Sequence, residues 1–425
     1  MADLCLPEPA LVLLCGASAS GKSTFAGRCF APTEIVSSDA LRGTICDDEE
    51  AQDLNDEVFG LLHRIVDLRL AARRMTVVDA TNLAAAARAP LLALARARRL
   101  PFVAIVLTGD ADRMTERNLA RGRVVPPSVL RAQLAMMADL PATLAAQGWE
   151  SVHVLDEEES RSVVIRREPL PPMRFKERGP FDVVGDVHGC SAELRALMAE
   201  LGYDADGLHP GGRRLVFVGD LVDRGPDSVG VPRLVLPIIE AGRALFVPGN
   251  HDDKLWRWLS GNPVKVSGGL STTVAEWQNL SEREDRLLRE RFDRLMSQSP
   301  PYLWLDGGQL LVSHAGLEAA DHGRVGSAVR AFCLYGKTTG REVDGYPERL
   351  DWAADYRGKP AVVHGHVPTR RAEWRNGVAD IDLGAVFGGA LCAMRWPERT
   401  FVTIPAATSY WERGAAWAAS GGVPT

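Results

Sequence analysis

Five segments of the chain end in residues able to hold a divalent cation or move a proton. They are Phe181-Asp-Val-Val-Gly-Asp186-Val-His188-Gly189, Val216-Phe-Val-Gly-Asp220-Leu-Val-Asp223-Arg224-Gly225, Leu245-Phe-Val-Pro-Gly-Asn250-His251-Asp252, Leu310-Leu-Val-Ser-His314-Ala-Gly316 and Ala361-Val-Val-His364-Gly-His366-Val-Pro368. Each opens on an apolar run bounded by glycine or proline, the pattern of a buried strand leading into a loop. Asp186, His188, Asp220, Asn250, His314 and His366 offer carboxylate, imidazole and amide oxygen with no thiolate. That donor set suits Mn²⁺ or a similar divalent ion better than a structural zinc. Six such ligands are enough for two ions sharing Asp220. An ion pair of this kind activates water and clamps phosphoryl oxygens. Arg224 then reads as a phosphate fork and His251 as the acid that protonates the leaving oxygen, oriented by Asp223. Any one of these histidines alone would more simply be an ordinary buried residue; their joint delivery from strand ends is what points to a site.

A second chemistry precedes the first. Gly16-Ala-Ser-Ala-Ser20-Gly21-Lys22-Ser23-Thr24 follows the apolar run Leu11 to Cys15 and opens a helical pattern, the context a phosphate-binding loop requires. Its backbone N–H groups and the helix N-terminus would receive the phosphates of ATP, with Lys22 on the β/γ-phosphates and Ser23 on Mg²⁺. The strand Glu34 to Asp39 ends in a carboxylate at the edge where an acceptor hydroxyl would sit, so Asp39 is a candidate base for phosphoryl transfer, with a helix cap as the plain alternative. Asp79, at the end of the Met75 to Asp79 run, could support Mg²⁺ through water or cap the next helix. Arg117 and Arg121 are four apart, so one helix would carry both on one face before Gly122 and Pro126-Pro127 end it. Arginines on such a lid stabilise charge on a transferring phosphoryl group.

These motifs need two α/β domains to position them, and 425 residues with 46% hydrophobic content suffice for two full cores. The expected organisation is a kinase-like domain with a parallel sheet over residues 1–170, a proline-rich linker from Glu168 to Pro172, a second domain over 180–405 and a tail over 406–425. The acidic runs Asp47 to Glu50 and Asp156 to Glu159 are expected as a solvated helix start and a solvated loop. A net charge of −6 excludes a surface basic enough to coat duplex DNA but allows a narrow basic groove. Seven cysteines without a Cys-x-x-Cys pair suit a reducing cytosol, and the run at Leu11 to Cys15 is far too short to span a membrane. A cytoplasmic enzyme is expected, with no membrane partner and with a homodimer left open. Packing is the plainer role for Trp256, Trp258 and Trp277.

The five segments of the second half resemble the calcineurin-like metallophosphoesterases, in the branch shared with serine/threonine protein phosphatases, because Pro368 stands where many relatives carry another histidine. Taken with Gly16 to Thr24, Asp39-Ala-Leu-Arg42, Thr76 to Asn82, Lys337-Thr-Thr-Gly340, Asp351 to Gly358 and Asp382 to Gly389, nearly the whole chain resembles the bacterial polynucleotide kinase-phosphatases of RNA repair. The resemblance implies a P-loop kinase followed by an αββα metallophosphoesterase sandwich, acting as an ATP- and Mg²⁺-dependent 5′-OH polynucleotide kinase and a two-metal 2′,3′-phosphatase on RNA or DNA ends. It also implies Asp39 as general base, Arg42 and Gln52 as acceptor contacts, Arg117 and Arg121 as the lid, and Asp382 as a further phosphatase carboxylate. The family continues into an adenylyltransferase domain, whereas this sequence stops at Thr425, so a separate RNA ligase is the expected partner. Lys337-Thr-Thr-Gly340 imitates a ligase motif but lies between His314 and His366, and no ligase role is expected of it. Two other readings fit the same motifs: a small-metabolite kinase fused to a protein or dinucleoside polyphosphate phosphatase, and a silent end-binding scaffold.

Overall fold

The computed structural model describes residues 3–49, 51, 53–120, 124–149, 151–343 and 346–411. Contacts divide the chain into two compact units that meet in sequence at Leu170 and Pro171, with the short stretch Arg324–Gly326 grouped with the first unit.

In the first unit the strands are β1 (Asp3–Glu8), β2 (Leu11–Cys15), β3 (Ile35–Ser37), β4 (Thr76–Asp79), β5 (Phe102–Leu107), β6 (Ser151–Leu155) and β7 (Val164–Pro169). The helices are α1 (Lys22–Cys29), α2 (Ser38–Cys46), α3 (Asn55–Ala71), α4 (Ala85–Arg98), α5 (Ala111–Leu119), α6 (Pro127–Met137), α7 (Leu140–Ala146) and α8 (Glu157–Ser162). The main sheet runs β3-β4-β2-β5-β6, with every neighbouring pair parallel. β2, β4 and β5 are buried along their whole length, as expected of parallel strands covered on both faces. β1 and β7 form a separate parallel pair. This arrangement puts the loops after β2, β3 and β4 at one carboxyl edge.

Three expectations change here. The strand near Asp39 stops at Ser37, whose hydroxyl caps α2 by accepting the Ala40 N–H, so Asp39 sits in the helix's first turn rather than at a strand end. The acidic run at Asp47 does not start a helix, because α2 ends at Cys46 with Asp47 in the left-handed conformation and α3 begins only at Asn55. Asp156 to Glu159 is not a loop. Asp156 caps α8, and the Glu159 side chain returns to the Asp156 N–H, closing a capping box.

The second unit contains β8 (Phe181–Val184), β9 (Arg214–Phe217), β10 (Ala244–Phe246), β11 (Tyr302–Leu305), β12 (Leu310–Ser313), β13 (Thr338–Val343), β14 (Tyr346–Arg349), β15 (Ala361–His364), β16 (Glu373–Arg375), β17 (Val378–Asp380), β18 (Ala390–Trp396) and β19 (Thr400–Pro405). Its helices are α9 (Ser191–Leu201), α10 (Gly230–Glu240), α11 (Asn250–Leu259), α12 (Gly269–Gln278), α13 (Glu282–Gln298) and α14 (Ser327–Tyr335). Two five-stranded sheets, β10-β9-β8-β18-β19 and β11-β12-β15-β17-β16, share a core that includes Val183, Val216, Val218, Val312, Val363 and Met394. Helices α9 to α13 cover the first sheet's other face through Leu194, Val235, Leu255 and Phe292, and α14 covers the second through Val329 and Cys333. β8, β9, β10, β12 and β15 are the five apolar runs named above, and all end toward the same edge. Trp277 is buried in the helical layer, and Trp256 and Trp258 pack partly against it. Residues 406–411 lie back on this unit through Tyr410, whose hydroxyl donates to Glu193, and the remainder of the tail falls outside the described residues.

Candidate functional site

The carboxyl ends of β8, β9, β10, β12 and β15 bring most of the expected metal ligands into two clusters. His188, Asp220 and His251 present donor atoms within 4.8 Å of one another, and Asp220, His314 and His366 do the same, so Asp220 is common to both. The backbone bends sharply to achieve this: His188, Asp220, Asp223, Arg224 and His366 all have positive φ, between 45° and 80°. Non-glycine residues hold such values only where the surroundings over-determine them. Glycines give the clearance. A Cβ at Gly365 would stand 1.9 Å from Asp186 Oδ1, and one at Gly249 would stand 2.1 Å from Asp220 Oδ1.

Backbone carbonyls set the imidazoles. His188 Nδ1 donates to Val222 O at 2.9 Å and His314 Nδ1 to Val218 O at 3.0 Å, which leaves both Nε2 atoms with a lone pair toward the site. Burial is the main reason that His188, His251 and His366 titrate far below the usual histidine range and that His314 is pushed down to about 3, so all four are neutral. Burial also raises Asp186 and Asp220 well above the ordinary carboxylate range, and Asp382 adds to the effect at Asp186.

Two divalent ions fit these residues. Asn250 Oδ1 lies 3.0 Å from His314 Nε2, and Asp220 Oδ2 lies 3.5 Å from the same nitrogen. Lone-pair-bearing atoms this close in a buried place repel one another unless a cation sits among them. His366 Nε2 is buried with no hydrogen-bond partner. Asp186 joins neither cluster directly: its carboxylate accepts the His366 N–H at 3.1 and 3.2 Å. His251, expected as an acid only, also stands among the ligand atoms of the first cluster.

Arg224 and His251 occupy the open side. Arg224 donates to His188 Nε2 and to His251 Nε2, each at 2.9 Å, and its guanidinium lies 5.4 Å from the Phe387 ring centre. His251 Nδ1 donates to Asp223 Oδ2 at 2.6 Å. Two contributors are assigned no role from the sequence. Asp252 is fully buried and accepts the N–H groups of Asp220, Leu221 and Gly249, tying the β9 and β10 loops together. Arg349, at the end of the β13–β14 hairpin, is close enough to help depress His314 and His366. Asp252 could have been suspected from its place beside His251, whereas nothing around Arg349 marks it.

In the first unit, the loop from Gly16 to Gly21 wraps Lys22, whose Nζ donates to Gly16 O and Ala17 O at 2.9 and 2.8 Å. α1 starts at left-handed Gly21 with no side-chain cap, so its first N–H groups are available to phosphate oxygens. Ser20, Gly21 and Thr24 line a cavity of about 350 Å³ together with Arg28, Arg117, Glu157 and Arg161. Arg117 and Arg161 both pair with Glu157. Asp39 pairs with Arg42 at 2.7 Å, and buried Arg42 also reaches Asn55 Oδ1 at 2.8 Å. Gln52 and Arg121 lie outside the described residues.

Comparison with known proteins agrees with this division. A family model described as AAA domain matches residues 11–140, and one described as calcineurin-like phosphoesterase matches residues 179–389. Over 234 residues, 54% of this chain, the sequence is 43% identical to a bis(5′-nucleosyl)-tetraphosphatase PrpE of Anoxybacillus flavithermus, 96% of which is covered. The chain belongs to the calcineurin-like phosphoesterases. The Bacillus subtilis protein of the same name is 45% identical over 234 residues and 96% covered. A solved cold-active protein-tyrosine phosphatase of a psychrophilic Shewanella aligns at 15% identity over 55% of this chain and 82% of that one, with a TM-score of 0.35. The two PrpE relatives correspond to the phosphoesterase part, which follows a P-loop domain of mixed α/β architecture with a parallel sheet. Members of this phosphoesterase family use divalent metal ions, and AAA domains bind nucleotide. Among the described residues no helix is long and apolar enough to cross a membrane.

Proposed function

We propose that this chain heals broken nucleic-acid ends, as an ATP-dependent 5′-OH polynucleotide kinase joined to a two-metal 2′,3′-phosphatase, with RNA ends as the principal substrate. What carries the reading is the presence on one chain of a phosphate loop, of an Asp39–Arg42 pair just after another strand of the same parallel sheet, and of two candidate metal clusters sharing Asp220. An enzyme that adds a phosphate at one terminus and removes one at the other needs both.

In the kinase, Asp39 takes the proton of the attacking 5′-oxygen as that oxygen bonds to the γ-phosphorus and the bond to ADP breaks. Arg42 holds the acceptor phosphate, Lys22 and the α1 N-terminus hold the β- and γ-phosphates, Ser23 would hold Mg²⁺, and Arg117 closes over the transferring group. In the phosphatase, Asp186, His188, Asp220, Asn250, His314 and His366 would hold two Mn²⁺ or similar ions. When bound, these ions supply Lewis acidity toward water and phosphoryl oxygens. Arg224 binds the phosphoryl group, and His251, after taking a proton from solvent at Nε2 to become imidazolium, gives that proton to the ribose oxygen as water adds to phosphorus and the P–O bond breaks, while Asp223 stabilises the charged ring through Nδ1. Asp382 keeps the field beside Asp186 negative.

A second reading draws support from the relatives' name: the phosphoesterase half would hydrolyse a bis(5′-nucleosyl)-tetraphosphate, with the P-loop unit serving a small-molecule acceptor. Transfer of label from γ-labelled ATP to 5′-OH RNA and DNA oligomers, nucleosides and gluconate-like acceptors separates the two. Label on the oligomers at least tenfold above the small acceptors supports end healing, and label confined to a small acceptor would refute it.

A further inference from the structure

α12 belongs to none of the strands that carry the ligands, yet its first turn grips the two residues that handle the substrate. Its backbone approaches so closely that a Cβ at Gly269 would stand 2.7 Å from Arg224 Cγ and 3.0 Å from Asp223 Cβ. At that distance two neighbouring threonines reach different partners. Thr272 Oγ1 accepts the Arg224 N–H at 3.1 Å while donating to Gly269 O at 2.7 Å. Thr273 Oγ1 donates to Asp223 Oδ1 at 2.5 Å. The other oxygen of that carboxylate takes the His251 Nδ1–H, so Thr273, Asp223 and His251 form one line of hydrogen bonds. Thr273 and Asp223 are fully buried. Asp223 and Arg224 have φ of 77° and 74°, and Ser228 Oγ accepts the Asp223 N–H at 3.1 Å.

We propose that Thr272 and Thr273 are positioning residues of the phosphoesterase site. Thr273 fixes the Asp223 carboxylate so that His251 presents Nε2 to the leaving oxygen, and Thr272 fixes the left-handed turn from which Arg224 reaches the phosphoryl group. This rests on the reading of His251 as proton donor and Arg224 as phosphate ligand. A carboxylate bound on one oxygen can swing about its last torsion, whereas one bound on both is locked, and an acid is efficient only within hydrogen-bond reach of its target. Because Asp223 accepts, the Thr273 hydroxyl must donate. Serine can replace it, and valine has the same outline without the donor.

The two roles have different kinetic signatures. The holoenzyme with its metal ions is assayed on p-nitrophenyl phosphate, whose phenolate leaves without much help, and on a nucleoside 3′-monophosphate, whose alkoxide must be protonated. Thr273→Val should lower kcat on the nucleotide by about 10- to 100-fold, within the range a displaced general acid sets, and on the aryl ester by less than about threefold. KM should be unchanged on both, and Thr273→Ser should return within about threefold of the parent. Thr272→Val should instead raise KM on both substrates by about five- to tenfold, the scale of one lost hydrogen bond, with kcat nearly kept. His251→Ala is the control for the underlying reading: if it shows no preference between leaving groups, the assignment of the acid fails and the threonine proposal falls with it. If His251→Ala discriminates and folded Thr273→Val slows both substrates equally or neither, the assignment stands and the proposal alone is overturned. Should the valine variant not fold, Thr273→Cys places a weaker donor at the same point. An order of Thr, Ser, then Cys on the nucleotide alone supports the proposal, and Cys equal to Thr overturns it.

Discussion

The two sites of this protein are held together in different ways. In the phosphoesterase centre the ligands come from strand ends, His188 and His314 are turned by backbone carbonyls, and Asp252 ties three N–H groups beneath Asp220. Around the phosphate loop the charged groups hold one another: the Asp39 side chain is 52% exposed and paired to Arg42, and Arg117 shares Glu157 with Arg161. A centre that must gather like-polarity donors around two cations has to be built rigidly, because the donors repel. A site whose charges pair side chain to side chain can exchange those partners for phosphates when substrate arrives. The first arrangement places chemistry in buried backbone geometry, the second in ion pairs between side chains.

If that contrast is right, the largest effects should come from the shared ligand. Asp220→Ala should cost phosphoester hydrolysis about a thousandfold or more, since both clusters lose the same oxygen, while phosphorylation stays within about twofold. Lys22→Ala should do the reverse. Steady-state rates on separate substrates check both, and equal loss of the two activities in either folded variant would break the contrast.

Metal removal should come next. Chelation should abolish hydrolysis and lower the unfolding midpoint of the second unit, by an amount set by ion concentration over Kd, about 2.7 kcal/mol at a hundredfold excess. Mn²⁺ added back should restore hydrolysis better than Mg²⁺, whereas Mg²⁺ with ATP should suffice for the kinase. Calorimetry with and without each ion reads the shift, and a midpoint indifferent to chelation would count against a metal centre here.

Glu157→Gln tests the site around the phosphate loop. With the charge of Glu157 gone, Arg117 is held less firmly and turns more readily to nucleotide phosphates, so KM for ATP should fall by about two- to fivefold, the modest scale of an exposed ion pair. A rise in KM would mean that Glu157 presents the arginine rather than withholding it.

The smallest effect concerns pH. Arg167 donates to both carboxylate oxygens of Glu34 at 2.7 Å and holds its pKa below the usual value. A depressed folded-state pKa means a contribution present above the unfolded pKa of about 4.3 and lost as pH falls through the folded one. Glu34→Gln should therefore lower the unfolding midpoint of the first unit by about a degree or two at neutral pH, with the difference shrinking below pH 4. A difference that grows on acidification would reverse the sign and exclude the pair.

Much of both sites was legible because strand-ending motifs need only local sequence. Asp220, Asn250 and His314 announce themselves by following apolar runs, and Lys22 by its loop. Residues that act from elsewhere in the fold were not legible. Thr273 lies fifty residues beyond Asp223 on an inserted helix, and Arg349 ends a hairpin whose Lys337 to Gly340 portion resembles something else. Nor could the sequence show that Asp186 would turn toward the His366 N–H, since a left-handed histidine is a property of the closed loop. Asp156 to Glu159 misled for a different reason: four acidic residues read as solvated unless the capping box is noticed, and it is that box which delivers Glu157 to Arg117.

The most direct test is a single reaction on an RNA oligomer carrying a 5′-OH and a 3′-phosphate, with ATP, Mg²⁺ and Mn²⁺. The parent chain should yield 5′-phosphate and 3′-OH ends, Lys22→Ala should process the 3′ end alone, and Asp186→Ala the 5′ end alone, all read by mass. An oligomer left unchanged at both ends while a bis(5′-nucleosyl)-tetraphosphate in the same tube is hydrolysed would contradict end healing and leave the phosphoesterase centre to the smaller substrate.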